Sequence, residues 1–258
     1  MKLIASDLDG TLLLNGNTQV SDELFRLIDA YQKQGVLFCA ASGRQYNSLR
    51  GLFAPVTDDI LYLCENGAVV FYKGKVLGKT CIPREDALSI CRSILARPHC
   101  EVLISGEQTS YLLPKQDDYV DHIRYFVGNH VTLVPSLDAI EEDILKVSAF
   151  CRNGAAENEE ALGNAWKGRL TVAVSGRQWL DFTVAGKEDG LEIIRKALSL
   201  QPEDMVSFGD NFNDLGMLRY TGRSYAMRTA PKAVREAADA LCDRVEETLK
   251  ELYREQFE

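Results

Sequence analysis

Leu3-Ile4-Ala5-Ser6-Asp7-Leu8-Asp9-Gly10-Thr11 opens the chain with a short apolar run that stops abruptly at two carboxylates. Lys2 to Ser6 reads as a buried strand, and Asp7 and Asp9 mark its end. A second apolar run, Met205 to Phe208, is followed by Gly209-Asp210-Asn211-Phe212-Asn213-Asp214 and ends in the same way. Burying carboxylates at a strand end is unfavourable unless a cation or an array of donors compensates for them. Two such clusters therefore point to one shared metal site and to chemistry on a phosphate.

Working outward from the first cluster, Leu12-Leu13-Leu14 leads to Asn15-Gly16, a hairpin turn signal that predicts a small flap. Ser21 can cap a helix whose first turn holds Asp22 and Glu23 and whose apolar stripe is Leu24, Leu27, Ile28 and Tyr31. Val36 to Ala41 is the next strand and ends at Ser42-Gly43-Arg44. A helix over about 45–53 and a strand at 60–64 follow. This alternation of strand and helix argues for a parallel α/β layer.

From Val69 the pattern becomes antiparallel, with Lys73-Gly74 as a turn. Pro83 then opens a helix carrying Ala87, Ile90, Cys91 and Ile94. Strand-like runs recur from Val102 to Val184, and the α/β pattern returns after Gly190. The reading is an α/β protein with a parallel-sheet core over 1–82 and 184–258, and an inserted α+β unit over 83–183. Tyr111 and Trp179 lie in strand-like settings and read as packing residues.

The chain has 258 residues and a formal charge of -9. That balance disfavours nonspecific attraction to nucleic acid or anionic lipid, which depends on cationic side chains displacing counterions. Seven cysteines fall at irregular spacings with no C-x-x-C pair, the pattern of reduced core residues in a cytoplasmic protein. No stretch approaches a membrane span or a signal-peptide core. His99, His122 and His130 share no metal-ligand spacing.

In an open parallel sheet, ligands bind beyond the carboxyl ends of the strands. Asp7 with Asp9, Ser42, and Asp210 with Asp214 each follow an apolar run, so three strand ends could converge on one crevice. Each fragment taken alone is ambiguous. Asp-x-Asp-Gly is also the composition of a solvent-facing turn. A calcium loop of EF-hand type would need glycine where Leu12 stands. A lone lysine such as Lys187 is ordinarily a solvated surface residue. The order and spacing of the whole set carry the signal.

That set resembles the haloacid dehalogenase-like phosphatases, most of all their Cof-type sugar-phosphatase branch. Asp7-Leu8-Asp9-Gly10-Thr11 is similar to the first motif of the family, Ala41-Ser42-Gly43-Arg44 to the second, and Lys187 to the third. Gly209-Asp210-Asn211-Phe212-Asn213-Asp214 is similar to the fourth. Glu65-Asn66-Gly67-Ala68 and an insert of this size between the second and third motifs are also typical of the branch. The resemblance implies a Rossmann-like core whose insert is a cap that closes over the crevice and contributes specificity.

For the site, the resemblance implies that Asp7 attacks phosphorus and forms an aspartyl-phosphate, while Asp9 protonates the leaving oxygen and later deprotonates water. The turn at Gly10 is expected to redirect the Asp9 side chain and leave it free for this work. Mg2+ would be held by the side chains of Asp7 and Asp210 and by the carbonyl of Asp9. Lys187 would bridge Asp7 and a phosphoryl oxygen, with Ser42, Gly43 and Asn213 contacting substrate, Arg44 either contacting substrate or forming a salt bridge on the helix after Ser42, and Asp214 orienting Lys187 or a metal-bound water. Two positions depart from the family pattern: Glu188 stands where glycine is usual, and Arg228-Thr229 replaces Gly-Asn.

The expected activity is magnesium-dependent hydrolysis of a small phosphate ester, with a sugar phosphate as the expected substrate. Phosphotransfer of the phosphomannomutase kind is the enzymatic alternative. A sugar-phosphate-binding protein without turnover is the alternative from another class, and it has no need of the Asp7 and Asp9 pair.

Overall fold

The apolar run that opens the chain forms β1 (Leu3–Ser6), and every residue of it is buried. β2 (Leu37–Ala41), β3 (Leu61–Cys64), β4 (Val69–Tyr72) and β5 (Lys75–Lys79) follow. Next come β6 (Cys100–Ser105), β7 (Ser110–Leu112), β8 (Val131–Leu133), β9 (Lys146–Cys151), β10 (Thr171–Val174) and β11 (Trp179–Thr183). β12 (Met205–Gly209), β13 (Arg223–Met227) and β14 (Ala240–Cys242) close the series. This computed structural model describes residues 1–258 and divides into two units, one of residues 1–44, 49–78 and 186–258, the other of residues 45–48 and 79–185.

The first unit is built on an eight-stranded sheet of order β14-β13-β12-β1-β2-β3-β4-β5. β1 runs parallel to both of its neighbours, with Leu3 opposite Leu37 of β2 and Met205 of β12. The chain proceeds from β1 through β2 to β3 on one side, while β12 and β13 lie on the other. The strand order thus reverses at β1, which is where an open α/β sheet forms its ligand crevice. Leu3, Ala5, Cys39, Leu61, Leu191, Ile194 and Met205 share one core cluster on one face of the sheet, and Ile4, Phe38, Ala40 and Tyr62 of the opposite parity are buried as well, so the central strands read as continuous apolar runs because both faces are covered.

Local chemistry sets the helices and turns of this unit. Ser21 Oγ accepts the amide of Leu24 at 3.1 Å and caps the helix Asp22–Lys33, whose buried stripe is Leu24, Ile28 and Tyr31. β4 runs antiparallel to β3 and turns through Lys73 and Gly74, both at positive φ. Asn15 and Gly16 also adopt positive φ, as the turn signal predicts. The flap before them carries one isolated bridge, Asp9 to Leu13, and no flanking strands.

The second unit has a six-stranded sheet of order β10-β11-β9-β6-β7-β8. Its ladders are antiparallel except between β7 and β8. Pro83 precedes the helix Arg84–Leu95, whose Ala87, Ile90, Cys91 and Ile94 share a cluster with Val102, Ile104, Val147 and Ala149. Residues of the opposite parity, Leu103, Leu112 and Phe150, pack with Tyr119 and Ile123. Tyr111 and Trp179 are partly buried against these two clusters. Gln45 belongs to this unit because its Nε2 donates to Ser110 Oγ at 3.2 Å and its Oε1 accepts the amide of His130 at 2.8 Å. No helix is long and apolar enough to cross a membrane.

Candidate active site

The crevice side of the reversal point is occupied by carboxylates. Asp7 directly follows β1, is nearly enclosed, and donates its amide to the Phe208 carbonyl of β12 at 2.9 Å. This bond carries the pairing of the two strands one residue past the end of β1. Asp210 directly follows β12. Thr11 Oγ1 donates to Asp210 Oδ1 at 2.9 Å, which ties the two acidic segments together. Gly10 sits at φ 94°, and a Cβ there would overlap the Asp210 carboxylate. Glycine is therefore needed at this position for two reasons, conformation and space. Carboxylate oxygens of Asp7, Asp210 and Asp214 lie within 4.8 Å of one another.

Lys187 is the first residue of the helix Lys187–Leu198 and has no solvent exposure. Its ammonium pairs with Asp7 Oδ1 and, at 2.6 Å, with Asp214 Oδ1. Asp214 Oδ2 accepts the backbone amides of Asp210 and Asn211, each at 2.9 Å. Both oxygens of Asp214 are thus committed, one to the lysine and one to the loop that carries Asp210. Glu188, the departure from the family pattern, turns its carboxylate toward Gly186 and Gly216 and leaves Lys187 in the crevice.

The electrostatic balance fits a cation. Three carboxyl groups stand against one ammonium, so the cluster holds more acids than cations. Burial pushes the Asp7 carboxyl up to about 8, with Lys187 opposing the rise and Asp214 adding to it. Burial also raises Asp210, which the Thr11 hydrogen bond partly offsets. Burial would lower Lys187, but Asp214 and Asp7 outweigh it and hold the ammonium above its ordinary value. Clustered acids under this strain are the donor set that a hard divalent ion relieves.

Asp9 differs from the expectation of a free side chain. Arg44 grips it by both oxygens, Nε to Oδ2 at 2.9 Å and Nη2 to Oδ1 at 2.6 Å. The pair is half open to solvent, with the Asp9 side chain 54% exposed. A forked guanidinium matches a carboxylate in this way and fixes its plane. Ser42 is buried; its Oγ accepts the Arg44 amide at 3.2 Å and its own amide bonds to Leu63 at 2.9 Å. Asn213 is exposed and donates from Nδ2 to Asn66 Oδ1 at 3.2 Å. Arg228 pairs with Asp243 at 2.9 Å.

Two residues of the crevice carry no role in the sequence reading: Thr11, which holds Asp210, and Asn66, which holds Asn213. Thr11 lies inside the opening stretch two positions after Asp9, so proximity was its available signal. Asn66 lies in the Glu65-Asn66-Gly67-Ala68 stretch typical of the branch, but its pairing with Asn213 arises only through folding.

A sequence profile for haloacid dehalogenase-like hydrolases matches residues 4–248. The chain is 29% identical over 92% of its length to 5-amino-6-(5-phospho-D-ribitylamino)uracil phosphatase YbjI of Escherichia coli (strain K12), covering 89% of that protein. A crystal structure from Eubacterium rectale is similar at TM-score 0.88 and 27% identity, with 98% of this chain and 99% of that one covered. The HAD subclass IIB sugar phosphatase BT4131 has the same fold at TM-score 0.79 and 23% identity, with 98% of this chain and 99% of that one covered.

Proposed function

Because this chain belongs to the haloacid dehalogenase-like hydrolase family, we propose that it hydrolyses a sugar phosphate or related small phosphate monoester, with Mg2+, through an aspartyl-phosphate on Asp7. It is a phosphatase of that family acting on small phosphorylated metabolites. The observation that carries the finer reading is the buried Lys187 ammonium joined to Asp7, with Asp210 in reach of the same point.

Asp7 attacks phosphorus, the phosphorus–oxygen bond to the leaving group breaks, and Asp9 delivers a proton to the departing oxygen. Water then attacks the phosphoryl group of the aspartyl-phosphate, Asp9 takes its proton, and phosphate leaves with Asp7 restored. Lys187 neutralises charge on Asp7 and on a phosphoryl oxygen from a position fixed before substrate arrives, so little reorganisation is needed. Arg44 orients the Asp9 carboxylate between turnovers, and Asp9 must leave this two-oxygen grip to carry the proton that it delivers. Side chains of Asp7 and Asp210 and the Asp9 carbonyl would hold the ion. When bound, magnesium screens the repulsion between the phosphoryl oxygens and Asp7, on the order of 4 kcal/mol per charge pair at about 4 Å and an effective dielectric near 20.

The substrate class rests on the relatives. YbjI is named for a phosphoribityl compound and another relative, YbhA of Escherichia coli (strain K12), for pyridoxal phosphate. Both are small phosphorylated metabolites with polar leaving groups. The inserted residues 83–183 would select among them, and the seven free thiols suit a reducing compartment such as the cytoplasm. The test is phosphate release from a panel of pentose, hexose and ribityl phosphates, with Asp7→Asn as blank and with EDTA followed by added magnesium. Release that survives in the variant would overturn the covalent mechanism, and release that survives chelation would overturn the role of the metal.

A further inference from the structure

Three of the four site segments meet at one unusual loop. After β3 the backbone passes through Glu65 at φ 52°, Asn66 at φ 57° and Gly67 at φ 100°, three successive left-handed residues. Two of them are not glycine, and such conformations persist only where the surroundings over-determine them. The β3–β4 connection does not require them, since loops of this length are usually built on an unstrained type I turn.

The contacts made by the loop account for its shape. The Glu65 amide donates to the Arg44 carbonyl at 3.1 Å and the Asn66 amide to the Ser42 carbonyl at 3.0 Å. Gly67 packs on the Gly186 carbonyl, immediately before Lys187. The Asn66 carboxamide lies so close to Gly43 that a Cβ there would stand 2.9 Å from Oδ1, and the same oxygen accepts from Asn213 Nδ2. The left-handed turn thus aims one short side chain between the Ser42–Arg44 segment and the Asp210–Asp214 segment. Asparagine suits this position because it tolerates left-handed backbone at small cost.

We propose that Asn66 is a positioning residue for phosphoryl binding: its carboxamide oxygen fixes the Asn213 amide so that the second Nδ2 hydrogen of Asn213 is presented to a phosphoryl oxygen. The proposal rests on the phosphatase reading of this crevice. A primary amide has two donors, and here Asn66 takes one of them. Without that acceptor, the exposed Asn213 side chain must be ordered each time phosphate binds, at a cost in rotamer freedom.

The test separates side chain from backbone. Asn66→Gly keeps the left-handed turn and removes the carboxamide, so its melting temperature stays at the wild-type value. Orthophosphate Kd by calorimetry and KM for the best sugar phosphate should each rise about tenfold, the scale of one hydrogen bond, while kcat changes much less. Asn213→Ala should do the same, and the double variant should be no worse than Asn213→Ala alone, because the two residues act as one unit. Wild-type Kd and KM in Asn66→Gly, wild-type phosphate binding in Asn213→Ala, additive effects in the double variant, or no orthophosphate binding by the wild type would each overturn the inference. A wild type that binds orthophosphate in this Asn66-dependent manner but releases none from any ester would overturn the phosphatase reading alone.

Discussion

Asp214 Oδ1 lies 2.6 Å from the Lys187 ammonium, and both side chains are wholly shut off from solvent. A buried lysine is tolerated only when its charge is matched, and Asp214 supplies that match while its other oxygen caps two amides of the Asp210 loop. The pair is therefore part of the fold as well as of the site.

Asp214→Ala should remove one of the two carboxylates that face the buried ammonium, leaving Asp7, and the acceptor of two amides. The expected loss is about 3–5 kcal/mol, which for a chain of this size lowers the melting temperature by roughly 10 °C. Asp214→Asn keeps an oxygen acceptor and should lose less. Calorimetric melting of both variants decides the matter; an Asp214→Ala protein as stable as the wild type would show that Asp7 alone balances Lys187.

Asp9 and Arg44 form an exposed, bidentate pair, so its contribution to stability should be no more than about 1 kcal/mol. Its importance should lie in turnover. Asp9→Asn is expected to lower kcat by about 10²–10⁴-fold, the usual range for a lost general acid, with the melting temperature lowered by no more than about 4 °C. Arg44→Gln should leave the fold intact and reduce kcat by a smaller factor, because Asp9 keeps its proton chemistry and loses only its orientation. Steady-state kinetics of the two variants would refute this ordering if Arg44→Gln were the more damaged.

Metal dependence should respond to groups on either side of Gly10. Asp210→Asn removes a carboxylate from the cluster, and Gly10→Ala pushes the same carboxylate aside because its Cβ would occupy that space. Both should raise the magnesium concentration for half-maximal phosphate release, by roughly 10–100-fold. A magnesium titration of each variant reads this directly, and unshifted curves would place the ion elsewhere.

The parts of this architecture that could be read from the chain are those written in local pattern. Apolar runs broken by Asp7, Ser42 and Asp210 gave three strand ends, and the α/β alternation brought them to one side of a sheet. Ser21, Pro83 and Lys73-Gly74 marked element boundaries through capping and turn chemistry. A salt bridge was an open reading for Arg44, but Asp9 as its partner was not legible, because the pair joins residues 35 positions apart through a side-chain rotamer that leaves no periodic trace. The same holds for Asn66 and Asn213, 147 positions apart, and for the left-handed run at Glu65 and Asn66, where tertiary contacts override residue preference. Gln45 follows Arg44 in sequence but joins the second unit through Ser110 and His130, which linear reading cannot see.

His122 supplies a pH test independent of the acidic crevice. Its ring stacks on Phe126 and lies against Phe150, at centroid distances of 5.0 Å each. Burial lowers its pKa below the ordinary value of 6.5, and the nearby Arg152 guanidinium lowers it further against a smaller opposing pull from Asp118. The unfolded chain then binds a proton at His122 more readily than the folded one, so stability from the neutral ring is complete above 6.5 and is lost as pH falls through the lower folded value. His122→Phe keeps an aromatic ring and removes the titration. The melting temperature of the wild type minus that of His122→Phe should therefore fall as pH is taken from about 7.5 to about 5.5, with other titrating groups cancelling in the difference. A difference that stays flat across that range would mean that the imidazole gains its proton as easily in the fold as in the unfolded chain.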